Sequence, residues 1–390
     1  MRIARRLALG RLISLTGGGA AWIALIAAIF DQTGSATWVS AALFAGVIGT
    51  VVAAPFSGWL GDHYDRRRVL IATDVAAAVV SLGMAMTGQP DALIVLLAVS
   101  SLVQGPFEPA SAAAIPNLVG AADVGRANAL VASTGSAGYI IGPLLGGVVL
   151  GAGASPSTLF AINAATFVLS ALIIASIRRP FGRGATDLYP GLLAGFRVIA
   201  RRRPLRLLVA AGMASLLGIG MVNVAAYPLS VQLGAGTEGY GAMTALLGAG
   251  GLLGAALADR VLAAGPARVL VAAFAAEAVG LGLAGAAPVV ALALGAMALA
   301  GAGGGLGDVA GTTFMQAESD DEVRSRVFAA QDGAAHVAYT LAAFTGGLVV
   351  ALAGARGAFA AAAVCSGVAM LLALRLSTDA KAVEKPVGNT

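Results

Sequence analysis

Charged residues are scarce in this chain: Asp, Glu, Lys and Arg make up 11% of its 390 residues, against about 25% in a typical soluble domain. Hydrophobic residues make up 58%, so the chain cannot cover itself with a polar surface. The composition excludes a soluble globular protein. It indicates instead a protein that lies in a lipid bilayer, which is the first partner we expect.

Cysteine and histidine are also rare, and this limits the chemistry. The single cysteine, Cys365, excludes an internal disulfide. The two histidines, His63 and His336, lie far apart in the sequence and form no metal-binding spacing. The glycine-rich stretch 301–307 lacks the Lys-Ser/Thr pair of a phosphate-binding loop. We therefore expect neither an enzyme nor a metal or other cofactor. Without an ATP-binding loop, any process that needs energy would have to draw it from an ion gradient.

Long apolar runs fill most of the chain. A helix that crosses a bilayer needs about 20 apolar residues, and these runs are too long for barrel strands and lack alternation of period two. The fold class we predict is an all-α membrane protein with twelve transmembrane helices in two six-helix bundles. The runs lie at 10–31, 37–60, 69–87, 92–114, 127–151, 157–177, 205–229, 238–258, 268–286, 289–313, 327–352 and 357–376.

The polar connections divide the chain into domains. We predict an N-terminal bundle at 1–177, a cytoplasmic linker at 178–204, a C-terminal bundle at 205–377 and a cytoplasmic tail at 378–390. Part of the linker, near 189–200, is either an amphipathic helix on the membrane surface or a simple tether.

Basic residues lie almost entirely on one side of this arrangement. With a cytoplasmic N-terminus, 23 of the 24 Lys and Arg residues are cytoplasmic and only Arg356 is outside, as the positive-inside rule describes. The basic loops are short, so the pI of about 9.8 does not indicate nucleic-acid binding. Abundant Arg and Ala are typical of a GC-rich bacterial genome. We therefore predict a multi-pass protein of the bacterial inner membrane with both termini in the cytoplasm.

Residues 105–147 and 305–347 repeat one another at an offset of 200. Beyond several glycines, the repeat pairs Glu108 with Asp308, Arg126 with Arg326 and Tyr139 with Tyr339. A repeat of this kind in an apolar chain is typical of transporters built from two similar bundles, with the substrate site where the bundles meet.

The connection between the second and third apolar runs carries a more specific pattern. It begins Gly58-Trp59-Leu60-Gly61-Asp62 and ends Asp65-Arg66-Arg67-Arg68, which places a carboxylate within hydrogen-bonding reach of a cluster of guanidinium groups. It resembles the cytoplasmic signature of the major facilitator superfamily, Gly-x-x-x-Asp-(Arg/Lys)-x-Gly-(Arg/Lys)-(Arg/Lys). The resemblance implies a role in conformational gating for the matching residues and for a second-half copy, namely Gly58, Asp62, Arg66, Arg67, Asp259 and Arg260.

The fifth apolar run contains Gly138-x-x-x-Gly142-Pro143-x-x-Gly146-Gly147. Pro143 removes a backbone donor and bends the helix, so Gly142 and Pro143 join the gating candidates. The stretch is similar to the antiporter signature of the superfamily, and the chain resembles its enterobactin-exporter and macrolide-efflux branch. Two proton-linked positions of that family differ: Ser101 stands where Arg is usual, and Gly18 stands where Asp is usual.

Ionisable residues within the apolar runs mark candidate sites, because charge at bilayer depth is unfavourable. Asp332 and His336 are four residues apart on one helix face, so they either carry a proton or form a structural hydrogen bond. Glu108 and Asp308 either bind protons or pair with Arg126 and Arg326 as latches. Asp74 and Glu277 also lie in apolar runs, the first as a candidate partner of the loop arginines and the second without an assigned role.

The resemblance predicts a secondary transporter that exports an amphipathic organic compound, such as a drug, an antibiotic or a siderophore-like molecule, in exchange for protons. We expect a monomer that works by alternating access. One alternative is an uncoupled facilitator or importer of a small solute, and another is a membrane receptor or scaffold that transports nothing. Candidate residues of the substrate cavity are Trp22, Phe44, Tyr139, Met221, Asn223, Tyr227 and Tyr339.

The topology can be tested with introduced cysteines. A cysteine at Ser155, in an expected external connection, should react with a membrane-impermeant thiol reagent added to intact cells. A cysteine at Thr186, in the expected linker, should react only after the membrane is opened. Replacing Cys365 with serine removes the background, and the opposite labelling pattern would overturn the topology.

Overall fold

The structure is a computed structural model that describes residues 2–119, 123–181, 192–319 and 321–383. Across those ranges it contains thirteen α-helices and a short 3₁₀ turn, and no β-strand. The helices are α1 Arg2–Thr33, α2 Ala36–His63, α3 Arg66–Met86, α4 Pro90–Gln104, α5 Phe107–Leu118, α6 Val124–Gly151, α7 Pro156–Ala175, α8 Leu192–Arg201, α9 Arg203–Gln232, α10 Gly236–Val261, α11 Pro266–Ala286, α12 Val290–Glu318 and α13 Asp321–Val383.

Eleven segments of the described residues are long and apolar enough to cross a bilayer, which confirms the predicted all-α membrane class. The predicted count of twelve differs at the end of the chain. There α13 joins the last two expected spans across Gly354, whose φ of 71° and ψ of 177° are not helical. Glycine adopts this backbone conformation readily because it has no Cβ. The twelve-helix count itself stays a prediction.

The fourth expected helix is interrupted. The sequence predicts one element over 92–114, whereas the structure ends α4 at Gln104 and begins α5 at Phe107. Pro106 explains the break, because its backbone nitrogen carries no hydrogen to donate to the helix and its ring clashes with the preceding turn. The interruption matters for the site, since it places Glu108 in the first turn of a new helix.

The described residues form two compact units. Unit 1 comprises Met1–Leu188 and Ala235–Ala245, and unit 2 comprises Tyr189–Gly234 and Leu246–Thr390. The amphipathic segment of the linker forms α8 and belongs to unit 2, where Ile199 is buried in an apolar cluster with Leu205 and Val327. The bundle boundaries predicted at 177 and 205 stay a prediction.

A seam of glycines joins α1 and α6 within unit 1. A Cβ at Gly138 would lie 2.7 Å from the Leu15 Cβ, and one at Gly142 would lie 2.6 Å from the Thr16 carbonyl oxygen. Another at Gly146 would lie 2.8 Å from the Ala20 Cα. The two helix backbones therefore touch. Helices in lipid gain no hydrophobic driving force for association. Small residues let their backbones pack closely, and the van der Waals contacts hold them together instead.

A second seam joins α10 and α12 within unit 2. A Cβ on Gly301 would overlap the carbonyl oxygen of Leu247, and one on Gly305 would overlap that of Gly251. At the neighbouring Gly304, no described residue outside the local helix backbone places an atom within 4 Å of the Cβ position. Adjacent glycines of one helix thus differ completely in what a side chain would meet.

This difference gives a matched pair of substitutions. Gly305→Ala should destabilise the protein by about 1–3 kcal/mol, because the methyl group forces two backbones apart. Gly304→Ala should leave stability unchanged or raise it by about 0.5–1 kcal/mol, because alanine lowers the entropy lost on helix formation. Thermal unfolding of each purified variant in detergent measures the effect, and equal midpoints for the two variants would contradict the described packing.

Candidate functional site

The charged connection at the start of α3 anchors three helices of unit 1. Asp65, which replaces the glycine of the family signature, caps α3 because its carboxylate accepts from the Arg68 backbone N–H at 3.2 Å. The Arg66 side chain donates to the Ala113 carbonyl of α5 at 2.8 Å, and Arg67 donates to the Ala175 carbonyl of α7. The Ala175 carbonyl lies at the C-terminal end of α7, where a cation is favourable, whereas the Ala113 carbonyl lies in the middle of α5. These two arginines therefore hold α5 and α7 against α3.

The other gating candidates are only partly described. Gly58, Asp62 and Asp259 lie outside the residues whose side-chain surroundings are described, so the expected pairing of Asp62 with the arginine cluster stays a prediction. Arg260 is exposed in the last turn of α10.

Gly142 and Pro143 contact α1 through Gly19. The Cβ position of Gly19 lies 2.8 Å from Pro143 Cδ and 3.1 Å from the Gly142 Cα. Pro143, where a bend is expected, therefore lies at the contact between the backbones of α6 and α1.

An ion pair joins α1 to α5 inside unit 1. The Arg11 guanidinium donates to the Glu108 carboxylate. The Arg11 side chain is 10% exposed and that of Glu108 is 63% exposed. The Arg11 Nε is buried without a hydrogen-bond partner among the described residues. Removing a charge from water is unfavourable unless it is paired, so this contact fixes where both side chains lie.

The sequence pattern does not single out Arg11 as a site residue, and it assigns a different partner to Glu108. Arg11 belongs to a basic cluster at the N-terminus, and the sequence offers Arg126 as the latch partner of Glu108. In the structure Arg126 lies near Asp123 instead, at 3.9 Å on the exposed surface. The available signal is that Arg11, the last member of that cluster, lies about two turns inside α1, where an unpaired charge is unfavourable.

A cavity of about 350 Å³ surrounds the ion pair. The Ser111 hydroxyl on its wall is buried and has no hydrogen-bond partner among the described residues. Tyr139 is 62% exposed there. A carboxylate, hydroxyls and an amide thus converge on one space, as in sites that orient a small molecule by a few polar groups. Its polar lining residues are Arg11, Glu108, Ser111, Asn128, Ser136 and Tyr139.

A second cavity of about 140 Å³ lies among α1, α3, α4 and α7 and includes Trp22. Its polar groups are mostly paired with one another: the Asn163 amide donates to Ser81 at 3.1 Å, and the Gln104 amide donates to Ser100 at 2.8 Å. Gly18 also lines it, and beyond the backbone of its own helix no atom of the described ranges lies within 4 Å of its Cβ position. The aspartate that the family often carries at Gly18 would therefore point into open space.

In unit 2 the structure brings together two of the predicted cavity residues. The Asn223 amide of α9 donates to the Tyr339 hydroxyl of α13 at 3.0 Å. Tyr227 is buried at 3% exposure, whereas Phe44 of unit 1 is 36% exposed. Met221 lies where its Cα would be 3.4 Å from a Cβ on Gly346. The polar pair Asn223–Tyr339 is thus the best-defined part of the predicted set in this unit.

The contact between the predicted proton carriers of unit 2, Asp332 and His336, involves the aspartate backbone rather than its carboxylate. The His336 ring nitrogen Nδ1 lies 2.8 Å from the Asp332 backbone carbonyl oxygen, one turn earlier in α13. Both side chains are exposed, and so is Asp308. The side chain of Arg326 lies outside the described residues, so its pairing with Asp308 stays a prediction.

Two further acids are buried. Glu277 is 1% exposed and accepts hydrogen bonds from Ser215 at 2.8 and 3.0 Å and from Ser366 at 2.8 Å. These contacts tie α11 to α9 and α13, which gives Glu277 a structural role that the sequence did not supply. Asp74 is 2% exposed and lies beside Ser170 of α7. It does not contact the loop arginines as the sequence suggested, because Arg66 and Arg67 are turned to helix carbonyls.

These features are those of a membrane transporter with two helical units. A sequence profile of the Major Facilitator Superfamily matches residues 7–260 and 208–389. The chain therefore belongs to this superfamily and is a transporter rather than an enzyme. Transporters of this superfamily bind small-molecule substrates.

Curated relatives include transporters named as exporters. The putative bacilysin exporter BacE of Bacillus amyloliquefaciens is 26% identical over 230 residues, which cover 57% of this chain and 58% of that protein. The multidrug efflux pump Tap of Mycolicibacterium fortuitum is 30% identical over 198 residues, which cover 47% and 48%. The chain thus spans about half the length of these relatives.

Solved structures show the same fold. The nucleoside transporter NupG superposes with a TM-score of 0.78 at 16% identity and covers 98% of this chain and 100% of its own. An inward-facing bacterial homologue of the iron transporter ferroportin superposes with a TM-score of 0.75 at 17% identity, covering 97% and 99%. At these identities the likeness concerns the fold alone.

The Arg11–Glu108 pair can be measured by a double-mutant cycle. Arg11→Gln, Glu108→Gln and the double variant should give a coupling of about 1 kcal/mol, because one partner is buried and the two side chains touch. The same cycle on Arg126 and Asp123, exposed and 3.9 Å apart, should give only a few tenths. Unfolding in detergent provides the free energies. Equal coupling in the two cycles would mean that burial adds nothing to the first pair.

Proposed function

We propose that the protein exports an amphipathic organic compound across the bacterial inner membrane by alternating access, in exchange for protons. It acts as a monomer with both termini in the cytoplasm. The observation that carries this proposal is the cavity around Arg11 and Glu108, where a half-exposed carboxylate and several hydroxyl groups line a space inside an otherwise apolar bundle. Apolar walls accept the hydrophobic part of a cargo, and the carboxylate accepts its amine or hydroxyl group.

Two observations support export. BacE and Tap carry the names of an exporter and an efflux pump. Three glycines of the antiporter-like signature in α6, Gly138, Gly142 and Gly146, pack against α1, as a specific packing motif requires. The competing proposal is an uncoupled facilitator or importer, which Ser101 and Gly18 favour because the usual proton-linked side chains are missing there. A receptor or scaffold that transports nothing is the second competitor.

Glu108 is the first candidate for proton coupling. As a carboxylate it accepts from Arg11, and protonation removes its charge and weakens that contact. A cationic cargo competes with Arg11 for the same oxygens, so binding of the cargo and binding of the proton exclude one another at Glu108. Asp332 and His336 are the second candidate, although the imidazole bonds to a backbone oxygen rather than to the carboxylate. Asp308 stands in the repeat position of Glu108 and is the third.

Glu108→Gln should abolish uphill export driven by a pH gradient in proteoliposomes while leaving downhill exchange of the cargo. The amide keeps the shape and the hydrogen-bonding capacity but cannot take up a proton. The matched control is Asp91→Asn, which changes an exposed acid in the first turn of α4 and should leave both activities intact. Uphill export by Glu108→Gln would move the coupling role to Asp332 and His336. Absence of any flux in the wild-type protein would favour the receptor alternative.

A further inference from the structure

A second, larger cavity of unit 1 remains outside the proposed transport site. It has a volume of about 630 Å³ and lies between α2, α3 and the end of α4. Its walls are almost wholly apolar, and several of them are open to the surroundings: Val52 is 47% exposed, Leu102 is 37% and Tyr64 is 50%. Along α3 the groove runs from Arg68 to Ala76, about 12 Å at the helical rise of 1.5 Å per residue.

One charged residue, Arg68, is among the groove's described lining residues, and no carboxylate is. The two arginines that precede Arg68 already have hydrogen-bond partners: Arg66 donates to the Ala113 carbonyl and Arg67 to the Ala175 carbonyl. The Arg68 side chain is exposed, and its backbone N–H alone contacts Asp65. The groove therefore joins a long apolar surface to a single guanidinium at one end.

We propose that this groove binds an anionic phospholipid, with an acyl chain between α2, α3 and α4 and the phosphate on Arg68. Guanidinium groups bind phosphate through paired N–H donors. The apolar length is that of a chain segment rather than of a compact solute. Under the proposed topology Arg68 faces the cytoplasmic leaflet, where anionic lipids concentrate and attract basic residues near the membrane. A cargo molecule entering from the side is the other occupant that the test has to separate.

The experiment measures lipid binding to the full-length purified protein by native mass spectrometry. The probes are phosphatidylglycerol and phosphatidylcholine with identical acyl chains. We expect phosphatidylglycerol to bind more tightly, because the choline cation offsets the phosphate charge of phosphatidylcholine. Arg68→Gln should reduce the affinity for phosphatidylglycerol about fivefold and that for phosphatidylcholine by less. The control is Arg268→Gln. Arg268 is also exposed, lies at the equivalent position of α11 and donates to Ala264 at 3.4 Å, and its loss should leave phosphatidylglycerol binding unchanged.

A second pair of variants tests the apolar part. Ala76→Phe fills the groove and should lower binding of both lipids, whereas Val79→Phe, at a 64% exposed position outside the lining, should not. Equal affinities of the two lipids, or no effect of Arg68→Gln, would overturn recognition of the headgroup. Competition by free glycerol phosphate would show an anion site without a lipid, and displacement by a transported cargo would assign the groove to cargo. Binding is measured without transport, so the result does not depend on the proposed cargo or coupling.

Discussion

Polar groups within a bilayer have to find their partners inside the protein, because the hydrocarbon offers none. In unit 1 this constraint places Arg11 on Glu108 and leaves a polar cavity around the two. Outside the apolar runs, Arg66 and Arg67 in the charged connection donate to the carbonyls of neighbouring helices. The position of the candidate site therefore follows from the need to pair one arginine that lies inside an apolar helix.

Close packing of helix backbones is the second feature of both units. Glycines bring the backbone of α6 onto α1 at Gly142 and that of α12 onto α10 at Gly305. Without glycine a side chain would have to fit between the two backbones at each of these contacts. In unit 2 Gly303 lies against the Glu277 backbone, close to where that acid receives its two serine hydroxyls.

The sequence predicted the elements better than their contacts. Hydropathy located the spans because a run of about 20 apolar residues is long enough to cross a bilayer and is rare in soluble domains. Pro106 marks the exception, since it breaks an apolar run that is otherwise typical of one helix. The contact of Arg11 with Glu108 joins residues 97 positions apart and depends on how α1 and α5 are rotated. No local pattern encodes that rotation, so the sequence offered Arg126 rather than Arg11 as a latch partner for Glu108. The same limit left Glu277 without a role.

The central claim is that cargo occupies the cavity beside Glu108, and protection of an introduced cysteine tests it most directly. Asn128 is exposed and lines this cavity, whereas Ser133 of the same helix is exposed outside the lining. With Cys365 replaced by serine, a compound shown to be exported should slow the labelling of Asn128→Cys and leave that of Ser133→Cys unchanged. If the compound did not slow the labelling of Asn128→Cys, or slowed the labelling of both cysteines equally, the claim would be contradicted.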